Sequence, residues 1–126
     1  MNMLKMLLAL ALLALVTNTT HAQTIYTNVT APAPGTTFDP GKRTITVVYG
    51  TSVAGIDYCI QVFKGPNSTT PIKSVQVPIN SESFDLDITL EADSSYLIKV
   101  VPCDPPAGSI VTAGSVGITV NKAIDD

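Results

Sequence analysis

From Ser83 to Leu90 every second residue is apolar: Phe84, Leu86, Ile88 and Leu90 share one phase, while Asp85, Asp87 and Thr89 share the other. Successive strand residues point to opposite faces, so this run predicts a β-strand with one face in a core and the other in water. The same period of two recurs along the chain. Thr44–Tyr49 sets Ile45, Val47 and Tyr49 on one face, Tyr58–Lys64 aligns Tyr58, Ile60 and Val62, and Ser95–Val101 aligns Tyr96, Ile98 and Val100. Val116, Ile118 and Val120 supply a last strand, Ile25–Thr30 a first, and Ile72–Val77 a weaker one.

The breaks between these runs carry turn chemistry. Asp39-Pro40-Gly41 and Gly65-Pro66-Asn67-Ser68 read as turns, and Gly50–Gly55 interrupts the pattern again. Ala31-Pro32-Ala33-Pro34-Gly35 cannot sit in a central ladder, because proline has no N–H to donate, so it marks an edge or a kinked crossing. Seven strands within residues 23–126 predict a single all-β domain, an antiparallel sandwich of the immunoglobulin or fibronectin type III kind.

Residues 1–22 stand apart from this pattern. Lys5 precedes an unbroken apolar run from Leu7 to Val16, and Thr20-His21-Ala22 offers small residues ahead of a cut after Ala22, as in a secretory signal peptide. That run is too short to span a bilayer, so the expected product is secreted, extracellular or wall-associated, with no membrane span. Without Lys5, ten acidic residues outnumber the scattered basic ones, and only Lys42 and Arg43 adjoin. Nucleic acid, which needs clustered Lys and Arg to neutralise phosphates, is not an expected partner.

Two cysteines in an exported chain predict one disulfide, Cys59–Cys103. Both fall in the outward phase of their strands, which implies a staple across one sheet, from strand to strand or strand to loop. This differs from the buried bridge between sheets found in antibody domains, which packs on a Trp that this chain lacks. Leu90 lies six residues ahead of Tyr96, the spacing of a tyrosine corner, in which the phenol bonds back to upstream backbone.

No catalytic apparatus is legible. The sole histidine, His21, falls in the expected leader, so a serine or cysteine nucleophile has no imidazole base. Cutting two residues earlier, before His21, would expose it as a copper-holding amino terminus, but no second histidine completes such a site. Asp85 and Asp87 are close enough for paired carboxylates yet belong to an open sheet face without a pocket to raise one pKa. With Glu91 and Asp93 they match no calcium loop. Neither cofactor nor metal is expected, and the chain reads as a non-enzyme.

Asn28-Val29-Thr30 and Asn67-Ser68-Thr69 are acceptor sequons, which predict N-glycosylation at Asn28 and Asn67 in an exported eukaryotic protein. From Ala31 onward the order of features resembles the N-terminal domain of the fungal Ser-Thr-rich, glycosylphosphatidylinositol-anchored cell-wall proteins linked with β-1,6-glucan assembly. The residues carrying the resemblance are Pro34-Gly35-Thr36 with Phe38 and Gly41, Ile45-Thr46-Val47, Ile60-Gln61-Val62-Phe63-Lys64-Gly65, and Ser95 through Val101 with Gly108-Ser109. It covers nearly the whole domain. Phe38 and Tyr49 stand where family members often carry Trp, and the chain ends at Asp126 without the stalk and apolar tail that an anchor signal requires.

The resemblance implies a non-enzymatic wall or extracellular module that binds or organises wall glucan. Sugar faces stack on exposed rings, and the aromatics outside the core phase are Phe63 and Tyr26, the expected ligand contacts. The alternative is a secreted effector or adhesion-type protein that binds another protein through an exposed strand edge or loop.

Overall fold

The computed structural model describes residues 23–123. The expected leader, residues 1–22, with its cut after Ala22 and with His21, lies outside the described residues, as do residues 124–126. Nine strands follow in order: β1 (Thr24–Ala31), β2 (Thr37–Phe38), β3 (Gly41–Thr51), β4 (Tyr58–Lys64), β5 (Lys73–Gln76), β6 (Ser83–Leu90), β7 (Ser95–Pro102), β8 (Ile110–Thr112) and β9 (Gly114–Val120). They form a four-stranded sheet in the order β6-β3-β1-β8 and a five-stranded sheet in the order β2-β9-β7-β4-β5.

Each of the seven expected strands has its counterpart, and two short ones are added. β2 pairs parallel with β9, and β8 pairs parallel with β1, so both sheets are mixed rather than purely antiparallel. With two and three residues these segments are too short to display alternation, and they exist because a neighbouring edge offers them partners. The proline segment is the crossing foreseen for it. β1 pairs with β3 in one sheet, the chain passes through a cis Ala31-Pro32 bond, and β2 resumes in the other sheet beside β9.

The alternation places the core. Ile45, Val47, Leu86 and Leu90 of the four-stranded sheet face Ile60, Val62, Ile98, Val100 and Ile118 of the other, all buried. Fully burying such a side chain is worth about 1.5–3 kcal/mol over leaving it in water, which makes the opposing faces the main stabilising feature. A one-residue slip of β6 on β3 would turn Leu86 and Ile88 out and Asp85 and Asp87 in, so burial also sets the register.

Different chemistry closes the two flanks between the sheets. On the β1 and β9 side, buried Thr27 bridges them: its Oγ1 donates to the Val100 carbonyl at 2.6 Å and accepts from the Gly114 N–H at 2.8 Å. Gly114 permits that approach, because a Cβ there would lie 2.5 Å from Asn28 Cα. On the β5 and β6 side, Lys73 Nζ donates to the Asp87 carbonyl and Lys64 pairs with Glu91.

Cys59 and Cys103 form the expected disulfide, with their Cα atoms 5.2 Å apart. Cys103 lies just past β7, where its N–H donates to the Asp57 carbonyl at 2.9 Å, so the bridge staples a strand to a loop along one sheet. Tyr96 makes the corner that its spacing predicts: its phenol oxygen accepts the Glu91 N–H at 2.9 Å.

Candidate functional site

At one end of the two sheets, the loop after β3 and the loop before β6 enclose a cleft of about 400 Å³. Its floor comes from the end of β3 and the start of β4, through Tyr49, Gly50 and Tyr58, and its walls from Val53, Ala54 and Pro78. Asn80, Ser81 and Glu82 form the polar rim. Asn80 and Glu82 are exposed.

Side-chain bonds hold this cleft open. The Tyr58 hydroxyl donates to the Val53 carbonyl at 2.6 Å, fixing the loop after β3 against the floor. Tyr49 and Ser81 share a hydroxyl-to-hydroxyl bond that fixes the opposite loop, and the Gly55 N–H donates to Asn80 Oδ1 at 3.1 Å, joining the two loops. Asn80 has φ of 62°, a left-handed conformation that Asn adopts more readily than most residues. Both tyrosine rings are spent as floor, since Tyr49 and Tyr58 are buried. What remains for a ligand is an apolar wall beside an amide and a carboxylate, a combination suited to a neutral molecule rich in hydroxyls.

This cleft was not legible in the sequence. Gly50–Gly55 and the segment before Ser83 read as breakers, and nothing local shows that two loops far apart in the chain meet. The only pointers were the tyrosines at the ends of the alternating runs, Tyr49 and Tyr58, whose phenols need partners when buried.

Phe63 and Tyr26 are not brought together. Tyr26 is 55% exposed on the outer face of β1. Phe63 lies outside the core phase, yet it is only 7% exposed. Leu97 pairs directly across from it on β7, and the Lys99 ammonium sits 5.5 Å from the ring centroid. A long cationic side chain laid over a ring covers it with its stem, so Phe63 is not the open platform expected of it. Period alone gives a residue's face, whereas lateral cover depends on its neighbours.

Asn28 and Asn67 are both exposed, the first on β1 and the second in the loop between β4 and β5. Asp85 and Asp87 lie on the outer face of β6, where each carboxylate accepts a hydroxyl from β3: Thr46 at 2.8 Å and Thr44 at 2.6 Å. Glu91 is engaged with Lys64, and the Asp93 N–H donates to the Asn121 carbonyl at 3.0 Å in the turn before β7. Among the described residues, no three His, Cys, Asp or Glu side chains converge as metal ligands, and no helix is long and apolar enough to cross a membrane. The bond to Glu91 raises the pKa of Lys64 above its ordinary 10.5.

In comparisons with known proteins, the chain matches no protein-family model and no curated sequence.

Proposed function

We propose that the chain is an exported, non-catalytic module of the fibronectin type III or immunoglobulin kind that binds a neutral wall polysaccharide in its loop-end cleft. Strand order supports the fold type: of the seven long strands, β1, β3 and β6 lie in one sheet and β4, β5, β7 and β9 in the other. β2 and β8 are then short additions to the seven-stranded frame. The observation that carries the functional reading is the cleft itself, whose wall is apolar and whose rim offers Asn80 and Glu82 to sugar hydroxyls. The resemblance to fungal wall proteins supports glucan as the polymer and an extracellular or wall location.

Retention of the purified protein on insoluble β-glucan, chitin and mannan tests this reading. Selective retention on one polymer, lost in Asn80→Ala and Glu82→Ala, is the expected result. Equal passage through all three columns would refute it. The rival reading, a partner protein, draws on β6, an edge strand of eight residues. A pull-down of protein partners that soluble glucan does not compete would favour it.

A further inference from the structure

Tyr26, Asn28 and Thr30 alternate on β1 and all point to its exposed face. Asn28 and Thr30 are the first and third residues of a sequon, and Tyr26 precedes the acceptor by two residues. In a strand that spacing puts the ring about 7 Å along the same face from the acceptor, within the span of a sugar ring attached to the amide. A shallow depression lined by Tyr26, Thr27, Asn28, Gly50, Thr51 and Ser52 surrounds the position. Gly50, paired directly across from Asn28, makes room for the acceptor's own amide: a Cβ there would lie 2.4 Å from Asn28 Oδ1.

Tyr26 is also held in place. Its N–H donates to Ser52 Oγ at 2.8 Å, and its carbonyl accepts the Ser52 N–H at 2.9 Å. The Tyr26 ring, 55% exposed and anchored through its backbone, therefore offers a fixed apolar face beside the acceptor. The other sequon lacks this arrangement. Asn67 follows a Gly-Pro turn, and the residue two before it is Gly65, which has no side chain.

We propose that Asn28 carries an N-linked glycan whose first N-acetylglucosamine packs on the Tyr26 ring, so that this glycan is a structural part of the sheet while one at Asn67 is a free appendage. The inference rests on the export reading and is independent of what the cleft binds. In the transfer step, Asn28 Nδ2 forms a bond to C1 of the sugar and gives up a proton, while the C1–O bond to a lipid pyrophosphate donor breaks and the pyrophosphate leaves. The donor and transferase are those of the eukaryotic secretory pathway, which acts on the unfolded chain. Once β1 docks, the C–H face of the attached sugar lies against the electron-rich face of the ring.

The test uses the full chain secreted from a eukaryotic host, with Asn67→Gln leaving Asn28 as the single acceptor in the domain and Asn28→Gln leaving Asn67. Glycans are trimmed to one N-acetylglucosamine, and melting temperatures are compared with and without it, in the parent and in Tyr26→Ser. The expected result is an occupied Asn28 whose single sugar raises the melting temperature by about 4 °C in the parent and by less than about 1 °C in Tyr26→Ser. At Asn67 the sugar's effect is expected to be independent of Tyr26. Nuclear Overhauser contacts between the sugar and the Tyr26 ring should accompany the rise. An occupied Asn67 with a bare Asn28, or an equal rise in Tyr26→Ser, overturns the proposal while leaving export standing. If both asparagines emerge bare in the secreted chain, the proposal falls while export stands; if the chain never leaves the cell, the export reading fails and this inference fails with it.

Discussion

Thr27→Val is the most informative single substitution in this domain, because it changes almost no volume and removes one hydroxyl with two partners. In the native protein Thr27 Oγ1 accepts from Gly114 N–H and donates to the Val100 carbonyl. Valine leaves both groups in a buried flank with no side chain to meet them. An orphaned buried donor or acceptor costs about 1–3 kcal/mol, so the pair together should cost about 3 kcal/mol. With an unfolding entropy near 2.1 cal/mol/K per residue over about 100 residues, that loss lowers the melting temperature by about 15 °C. Thr27→Ser is the control: it keeps the hydroxyl, drops one methyl and should cost about 1 kcal/mol, or roughly 5 °C. Calorimetry gives both shifts, and hydrogen exchange at the Gly114 amide reads the broken bond directly. If Thr27→Val melts at or above Thr27→Ser with the Gly114 amide still protected, the bridge does not hold the flank.

Three further outcomes are expected. Replacing Cys59 and Cys103 with serine opens a loop of 44 residues, which on the chain-entropy scale costs about 4 kcal/mol, read as a lower urea midpoint. Tyr96→Phe keeps the buried ring but strands the Glu91 N–H, and should cost about 1–2 kcal/mol in the same titration. Lys64→Met should move the melting temperature by less than about 2 °C, since the pair with Glu91 is exposed. Because the folded state raises the Lys64 pKa, whatever the pair contributes is present at neutral pH and lost as pH climbs above 10.5 through the folded value. A melt that weakened between pH 7 and 9 would therefore need another group.

Strands were the legible part of this chain because half-burial forces a period of two, and Phe84 to Leu90 or Tyr96 to Val100 could satisfy no other arrangement. The disulfide followed from the expectation of export and from phase, and the corner from one spacing. What stayed hidden depends on contacts between distant segments. β2 and β8 exist only through their neighbours, the cleft joins two loops, and the cover on Phe63 comes from another strand. Thr27 was closer to legible: it sits between Ile25 and Val29 in the inward phase of β1, and a hydroxyl there must find a partner.

The two unlike flanks have a consequence for how the domain comes apart. The β5 and β6 side is laced by Lys73 and by Lys64 with Glu91, charged groups in contact with water whose attraction weakens as ions crowd in. The β1 and β9 side is laced by a neutral hydroxyl shut away from solvent, which salt does not reach. High ionic strength therefore acts on one seam alone, and the seam that Thr27 closes is the one it leaves unchanged.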